Sequence, residues 1–294
     1  MQTIRSVTDL RAALAGPRRE GCVIGLVPTM GAFHEGHLSL MRQARARSDV
    51  VVVSLFVNPT QFNDSGDLAV YPRDEAADAA QAAGLGVDYL FAPGVEEVYP
   101  AGFATTVSVS GLTEDLEGAS RGRGHFDGVT TVVTKLLNMV GPDVAFFGQK
   151  DAQQAAVIRR LVRDLNLPVE IATCPTVRAP DGLALSSRNL LLSESDRHRA
   201  TVLHRALRLV EGAIAGGEHD PDAATEAARA ELDEAGVAPE YLAVVSAETM
   251  EPVERIEGDV LAVIAARIGA VRLIDNVPIS VAAIQGPTRF TRAV

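Results

Sequence analysis

Short apolar runs alternate with helical patterns over the first 175 residues, and this alternation restricts the fold more than any other feature. Residues 50–56 read Val-Val-Val-Val-Ser-Leu-Phe, which is typical of a strand covered on both faces of a parallel sheet. Strands are predicted at 23–27, 50–56, 87–91, 144–147 and 169–173. Helices are predicted between them at 37–47, 74–83, 128–140 and 151–165. The pattern indicates a doubly wound, Rossmann-like α/β domain.

A different pattern begins after about residue 176. Two helices are predicted there at 193–215 and 221–236, followed by three strands at 240–247, 259–267 and 270–275. Helices followed by a small meander suggest a separate, smaller α+β domain. We therefore predict two domains, 1–176 and 177–294.

Composition argues against several classes of function. The net charge of −11 disfavours nucleic acid as a partner, because phosphate backbones select for basic surfaces. No apolar run approaches the roughly 20 residues that span a bilayer, and the N-terminus lacks the apolar core of a signal peptide. The two cysteines do not make a disulfide framework. We expect a cytoplasmic protein that binds neither membranes nor nucleic acids.

Two histidines at a strand-to-helix turn give the strongest indication of chemistry. The turn, residues 28–37, reads Pro-Thr-Met-Gly-Ala-Phe-His-Glu-Gly-His. Unpaired backbone N–H groups and the helix dipole favour anions at such a point. His34 and His37 add imidazole donors, and Gly31 and Gly36 let a ligand approach the backbone closely. The turn predicts a phosphate cradle, and the alternative is a turn with two surface histidines.

Two further polar segments follow predicted strands, at the sheet edge where doubly wound domains bind ligands. They are Asn58-Pro59-Thr60-Gln61 and Gly148-Gln149-Lys150-Asp151. A lysine at this place can reach a phosphate and neutralise charge that builds up during transfer. Alternatively, Lys150 is a solvent-exposed residue at the start of a helix that Asp151 caps.

A segment with two hydroxyls and a guanidinium, Leu185-Ser186-Ser187-Arg188-Asn189, begins the predicted second domain and so lies at the domain junction. These groups suit the phosphates of a nucleotide, since arginine binds them bidentately, although serine and asparagine are equally common in turns. Clefts between domains are favoured ligand sites, so the position supports nucleotide binding.

Several other side chains fit a small ligand but also have a plain structural explanation. Gln61 and Gln154 can donate and accept, which suits a ligand with hydroxyl and carboxylate groups. Val129, Val132 and Val133 share one helix face, which is usually a core face and otherwise an apolar wall for a branched aliphatic substrate.

Two charged clusters could hold an ion or could simply be solvated. A glycine-spaced basic loop that could fold over an anion contains Arg121, Arg123 and His125. Carboxylates that could reach Mg²⁺ are Asp74, Glu75 and Asp78.

Taken together, these segments resemble the pantothenate synthetases, a family of the HxGH nucleotidyltransferase superfamily. The matching runs, in the family's order, are PTMGAFHEGH (28–37), FVNPTQF (56–62), YPRD (71–74), GHFDGVTTVVTKL (124–136), FFGQKDAQQ (146–154) and LSSRN (185–189). The chain departs from the pattern at Leu185, where the family usually carries methionine of similar volume. It also departs in the loop 63–69, whose composition is less typical.

The resemblance implies an ATP-dependent ligase that condenses pantoate with β-alanine, giving pantothenate, AMP and pyrophosphate. The carboxylate of pantoate would attack the α-phosphorus of ATP to give pantoyl adenylate, and the amine of β-alanine would then displace AMP. The resemblance also implies a homodimer and Mg²⁺ that bridges phosphate oxygens rather than sitting in a protein cage. The C-terminal domain would act as a lid that shields the adenylate from water.

Residue roles follow from the same resemblance. The implied catalytic residues are His34, His37, Lys150 and Arg188, with His37 as the presumed proton donor. The implied ATP-binding residues are Met30, Gly31, Ala32, Phe33, His34, Glu35, Gly36, His37, Gly148, Gln149, Lys150, Asp151, Val177, Leu185, Ser186, Ser187 and Arg188. The implied pantoate-binding residues are Pro28, Thr29, Met30, Gln61, Val129, Val132, Val133 and Gln154. Apart from the resemblance, Asp78 is the candidate for a contact to Mg²⁺ among the three carboxylates named above.

Two other functions are compatible with parts of the pattern. One is another HxGH-type adenylyl transferase that acts on a different small acid, and the other is a nucleotide-binding regulatory protein without catalysis. The paired glutamines favour pantoate over the first, and the histidines with Lys150 and Arg188 argue against the second.

Overall fold

The computed structural model describes residues 1–62 and 65–281 of the chain. Asn63 and Asp64, in the loop noted above for its composition, lie outside the described residues. The chain forms two compact units, Met1–Ser193 and Glu194–Val294.

The boundary between the units falls after Ser193, later than the predicted residue 176. The intervening segment folds back on itself through backbone bonds of 2.9 Å, from Ala179 N–H to Leu183 O and from Leu185 N–H to Val177 O. The Ser-Ser-Arg segment therefore belongs to the larger unit and does not open the smaller one.

A parallel six-stranded sheet forms the centre of the larger unit, which confirms the predicted fold class. Its strands are β1 (Gln2–Ile4), β2 (Ile24–Thr29), β3 (Val50–Leu55), β4 (Tyr89–Phe91), β5 (Val144–Gly148) and β6 (Glu170–Cys174). Their spatial order is β1-β4-β3-β2-β5-β6, and neighbouring strands are parallel throughout.

Helices cover both faces of this sheet. They are α1 (Val7–Arg19), α2 (Glu35–Arg47), α3 (Ser65–Val70), α4 (Glu75–Gly84), α5 (Val95–Val98), α6 (Glu117–Arg121), α7 (Arg123–Val140) and α8 (Ala152–Asp164). Successive residues of β3 face opposite ways. Val52 packs in a core with residues of α1 and α7, whereas Val51 and Val53 pack in a second core with residues of α2 and α4. This explains why the strand is apolar along nearly its whole length.

The connections diverge on either side of β2, which lies between β3 and β5. Helix α2 follows β2 and packs on one face through Leu40 and Met41, whereas α8 follows β5 and packs on the other through Ile158. In such sheets the divergence leaves a crevice at the carboxyl ends of the two strands, where ligands bind.

The smaller unit is the predicted α+β domain. Its elements are α9 (Glu194–Ala200), α10 (Val202–Ala215), α11 (Pro221–Glu234), β7 (Pro239–Ser246), β8 (Gly258–Ile268) and β9 (Val271–Val281). The strands form an antiparallel sheet in the order β7-β8-β9. The helix predicted over 193–215 is divided at Thr201, whose hydroxyl donates to the carbonyl of His198 at 2.8 Å. Within the described residues, no helix combines the length and apolar character needed to cross a membrane.

Candidate active site

A buried carboxylate holds the turn between β2 and α2. Asp78 of α4 accepts the backbone N–H groups of Ala32 at 2.9 Å and Phe33 at 2.8 Å. The preceding residue, Gly31, has φ +91° and Ala32 has φ +53°, so both lie in the left-handed region that favours glycine. A Cβ at Gly31 would meet Leu55 Cδ1 at 2.7 Å and Asp78 Oδ2 at 2.9 Å. Asp78 therefore fixes the strained backbone that leads into His34.

Backbone N–H groups thus engage both oxygens of Asp78, the side chain predicted to contact Mg²⁺. The other two carboxylates are also occupied. Asp74 caps α4 by accepting Ala77 N–H at 3.0 Å, and Glu75 pairs with Arg5 at 2.5 Å. Among the residues that the structure describes, no cluster of three or more His, Cys, Asp and Glu could hold a metal ion.

His34 and His37 are oriented by the main chain of their own turn. His34 is the N-cap of α2, and its Nδ1 accepts Gly36 N–H at 3.1 Å. The Nδ1 of His37 accepts the N–H of His34 at 3.3 Å, and the two ring centroids lie 4.2 Å apart. A neutral imidazole that accepts at Nδ1 carries its proton on Nε2. Both histidines therefore offer an Nε2–H donor.

Both rings are neutral near pH 7. Burial lowers the pKa of His34, and the positive charge of Lys150 lowers it further. Burial lowers the pKa of His37 to about 3, with His34 and Lys150 acting in the same direction and Asp151 opposing them.

Lys150 comes from the neighbouring strand. It lies on a short 3₁₀ turn, Gln149–Asp151, directly after β5, and its side chain is 18% exposed. Its Nζ lies 3.8 Å from Asp151 Oδ1, and its charge acts on both imidazoles. The structure thus brings two imidazoles and an ammonium together at the carboxyl edge of β2 and β5.

Arg188 approaches the same region from the Ser-Ser-Arg segment. Ser186 Oγ accepts the N–H of Arg188 at 3.3 Å and caps the 3₁₀ turn Ser187–Leu191. Arg188 keeps an exposed surface, yet burial by surrounding protein and then Arg121 lower its pKa, whereas Asp151 raises it. The guanidinium is therefore within electrostatic reach of the residue that follows Lys150.

Tyr71, which lies in the YPRD run, stands in the same electrostatic field. Burial raises the pKa of its hydroxyl, and the negative charges of Asp78 and Asp151 raise this pKa further, whereas the positive charge of Arg188 lowers it. Its ring packs edge-on against Phe62 at 5.7 Å. The YPRD run contributes to the family resemblance, but Tyr71 was not among the predicted site residues.

Gln61 lies on a 3₁₀ turn, Pro59–Gln61, that follows β3. Its Nε2 donates to Met30 Sδ at 2.9 Å, and its Oε1 accepts from Asn58 Nδ2 at 3.1 Å. The turn packs against α7 at Gly128, where an added Cβ would lie 2.5 Å from the carbonyl oxygen of Thr60. Gln61 and Met30, both predicted to bind pantoate, are thus in direct contact.

The valine stripe is part of the core. Val129, Val132 and Val133 are buried in the same cluster as Phe147 of β5. Their plain explanation, a helix face that packs on the sheet, therefore holds in the structure. Gln154 is partly buried on α8.

The basic loop of the sequence is mostly helical. Arg121 ends α6 and pairs with Glu117 at 2.9 Å, and Arg123 begins α7. His125 Nδ1 lies 2.9 Å from the carbonyl oxygen of Gln61, and burial lowers its pKa. His125 therefore supports the turn that carries Gln61.

The comparisons with known proteins agree on one family. The family model described as pantoate-beta-alanine ligase matches residues 2–278. A pantothenate synthetase of Moorella thermoacetica is 55% identical over 285 residues, 96% of this chain and 99% of that protein. A pantothenate synthetase of Cereibacter sphaeroides is also 55% identical, over 94% of this chain and 99% of that protein.

Two solved structures extend this similarity to the fold. The pantothenate synthetase of Thermus thermophilus aligns with a TM-score of 0.88 and 48% identity, covering 94% of this chain and 99% of that one. The pantoate-beta-alanine ligase of Francisella tularensis aligns with a TM-score of 0.77 and 35% identity, covering 94% and 97%. The chain therefore belongs to the pantoate–β-alanine ligase family, the pantothenate synthetases, and is an ATP-dependent ligase that condenses pantoate with β-alanine.

Proposed function

We propose that the crevice at the carboxyl ends of β2 and β5 is where this chain forms pantoyl adenylate, with His34, His37, Lys150 and Arg188 on the phosphates. A carboxylate oxygen of pantoate forms the new bond to the α-phosphorus, and the bond to pyrophosphate breaks. The amine of β-alanine then attacks the acyl carbon, and AMP leaves. The observation that carries this proposal is that two imidazoles with Nε2–H donors and the Lys150 ammonium lie at the same edge of the sheet.

The two imidazoles act as neutral hydrogen-bond donors to phosphate oxygens. A group with a pKa of about 3, as at His37, holds no second proton to give at neutral pH. For His37 we propose donation of a hydrogen bond from Nε2 in place of the proton transfer that the family resemblance implies. Such preorganised donors stabilise charge that develops in the transition state.

Lys150 supplies the positive charge that the neutral histidines do not. Its ammonium neutralises the charge on the oxygens of the α-phosphate as the carboxylate oxygen of pantoate approaches the phosphorus. Arg188, Ser186 and Ser187 bind the leaving pyrophosphate. Mg²⁺ would arrive bound to phosphate oxygens of ATP, since Asp78 and Glu75 are engaged by other protein groups.

Gln61 and Met30 receive pantoate, with the Gln61 amide donating to one of its oxygens. A thioether sulfur is a weak acceptor, so a substrate oxygen readily replaces Met30 as the partner of Nε2. Gln154, Val177 and Leu185 keep the roles that the family implies, the first toward pantoate and the others toward ATP. The solved Francisella tularensis ligase is described as a complex with β,γ ATP and β-alanine. This complex supports ATP and β-alanine as ligands of the proposed site. We infer further that the enzyme is a cytoplasmic homodimer whose smaller unit acts as a lid.

Pantoate-dependent exchange of pyrophosphate into ATP tests the adenylation step. We expect Lys150→Ala to slow exchange by about 10²-fold or more, as loss of one transition-state donor does. Arg19→Ala is the control, because Arg19 is an exposed cation at the end of α1, and it should exchange at the wild-type rate. A near-normal rate in Lys150→Ala would remove this residue from the mechanism.

A pair of substitutions separates hydrogen-bond donation from proton transfer at His37. Gln places an N–H close to the position of Nε2, whereas Asn can replace only the acceptor at Nδ1. We expect His37→Gln to retain more exchange activity than His37→Asn. Equal and complete loss in both would favour proton transfer instead.

A further inference from the structure

The amide of Asn58 connects an aromatic residue outside the candidate site to Gln61. Asn58 is buried, and its Oδ1 accepts from the Tyr99 hydroxyl at 2.8 Å and from the Thr60 hydroxyl at 2.9 Å. The Thr60 N–H also points to this oxygen, at the longer distance of 3.4 Å. The short contacts thus come from side-chain hydroxyls.

The other end of the Asn58 amide is fixed as a double donor. Its Nδ2 donates to the carbonyl oxygen of Gly128 and to Gln61 Oε1, both at 3.1 Å. Because Gln61 Oε1 accepts this bond, its Nε2 must point the other way, toward Met30 Sδ at 2.9 Å. The oxygen and nitrogen of an amide have nearly the same shape, so only this chain of bonds selects which one faces Met30.

We propose that Tyr99 is a positioning residue for pantoate, because its hydroxyl holds Asn58 and, through Asn58, the Gln61 amide with Nε2–H facing the substrate. The inference rests on the proposed contact between Gln61 and pantoate. It also specifies the ligand group: the atom that meets Gln61 is an oxygen acceptor, either hydroxyl or carboxylate, and not a protonated amine.

The ring of Tyr99 is held independently of its hydroxyl. It packs against Phe56 at 6.1 Å and edge-on against Phe103 at 5.1 Å. The Lys135 ammonium lies 4.5 Å from the Phe103 centroid and 5.9 Å from that of Tyr99. Burial raises the pKa of Tyr99, so the hydroxyl keeps its proton for Asn58 at neutral pH. Removal of the hydroxyl alone should therefore leave the ring in place.

The first experiment compares Tyr99→Phe with Tyr89→Phe, which removes a hydroxyl from a partly buried tyrosine on β4. We expect Tyr99→Phe to raise KM for pantoate about five- to tenfold, the effect of one lost hydrogen bond. The KM for ATP, the kcat and the thermal midpoint should stay close to the Tyr89→Phe values. An unchanged KM for pantoate, or equal increases in KM for both substrates, would overturn the proposal.

A double-mutant cycle then separates the positioning role from the proposed contact. If Tyr99 acts through Gln61, then Tyr99→Phe should add little to the effect of Gln61→Ala on KM for pantoate. Full additivity would refute the role of Tyr99 while leaving Gln61 as a pantoate ligand. A normal KM for pantoate in Gln61→Ala alone would refute the proposed contact, and the positioning role with it.

A second variant keeps the proposal testable if Tyr99→Phe folds poorly. Asn58→Asp keeps the acceptor for Tyr99 but replaces the double donor by oxygen. Gln61 should then turn its N–H groups toward position 58 and present oxygen to the substrate. We expect a larger increase in KM for pantoate than in Tyr99→Phe, and a wild-type KM would overturn the proposed polarity.

Discussion

Adding one methyl group at Gly128 should displace the turn that carries Gln61. A Cβ there would lie 2.5 Å from the carbonyl oxygen of Thr60, 2.6 Å from its carbonyl carbon and 2.7 Å from the nitrogen of Gln61. Ordinary contact begins at 3.4 Å, so the turn and α7 must separate by about 0.9 Å. All three atoms belong to the main chain, and no side-chain rotation can relieve the overlap.

The size of the effect follows from this displacement. Overpacking of this kind costs about 1–3 kcal/mol, and the helix preference of alanine over glycine offsets about 1 kcal/mol. Gly128→Ala should therefore lower the free energy of unfolding by about 2 kcal/mol or less. A shift near 1 Å in a substrate-positioning residue can cost up to about 10²-fold in rate. We expect kcat/KM for pantoate to fall by about that factor, with KM for ATP nearly unchanged.

Pyrophosphate exchange at saturating ATP and varied pantoate measures the kinetic effect, and urea denaturation measures the stability. Gly212→Ala in α10 is the matched control, since a Cβ added there would have nothing within 4 Å. It should raise the free energy of unfolding by up to about 1 kcal/mol and leave the kinetics alone. If Gly128→Ala uses pantoate as well as the wild type does, then the close contact does not position Gln61.

Three further expectations concern the turn and the phosphate site. Asp78→Ala removes two hydrogen bonds from backbone N–H groups to a buried carboxylate and should lower the free energy of unfolding by about 3 kcal/mol or more. The control Asp74→Ala removes only a helix cap and should lower it by about 1 kcal/mol. Urea denaturation measures both variants. The pKa of His37 is lower in the folded than in the unfolded chain, so stability should be lost as pH falls from 6.5 toward 3, and unfolding curves of His37→Gln should show a shallower decline. Arg188→Lys should raise KM for ATP more than KM for pantoate in the exchange assay, because an ammonium cannot bind phosphate bidentately.

Apolar periodicity predicted the elements that bury a continuous face. The run at 50–56 became β3 because both of its faces pack against helices. Strand β1 has only three residues, of which Ile4 is buried, and helix α1 contains Gly16 and Pro17 near its end. Neither produces enough apolar pattern to be recognised, and both are stabilised by contacts with the rest of the unit.

The location of the candidate site could be predicted because parallel strands place their carboxyl ends at one edge. The contacts that support the site residues could not be predicted from the sequence. Asp78 is one helix-surface carboxylate among several until the fold brings it under the turn at Ala32. Asn58 meets Tyr99 and Gly128 across 41 and 70 residues of chain, so no local spacing reveals its role.

The dependence of the histidine turn on a distant carboxylate limits how this enzyme can be re-engineered. A library that randomises residues 30–37 to accept another nucleotide would vary the imidazoles and their own backbone partners together, because His34 and His37 each accept a main-chain N–H from that stretch. Most members would also lose the hydrogen bonds to Asp78, which accepts the backbone N–H groups of two randomised positions. Productive variants should therefore be sought by co-varying position 78, or by leaving the turn intact and altering the walls around it.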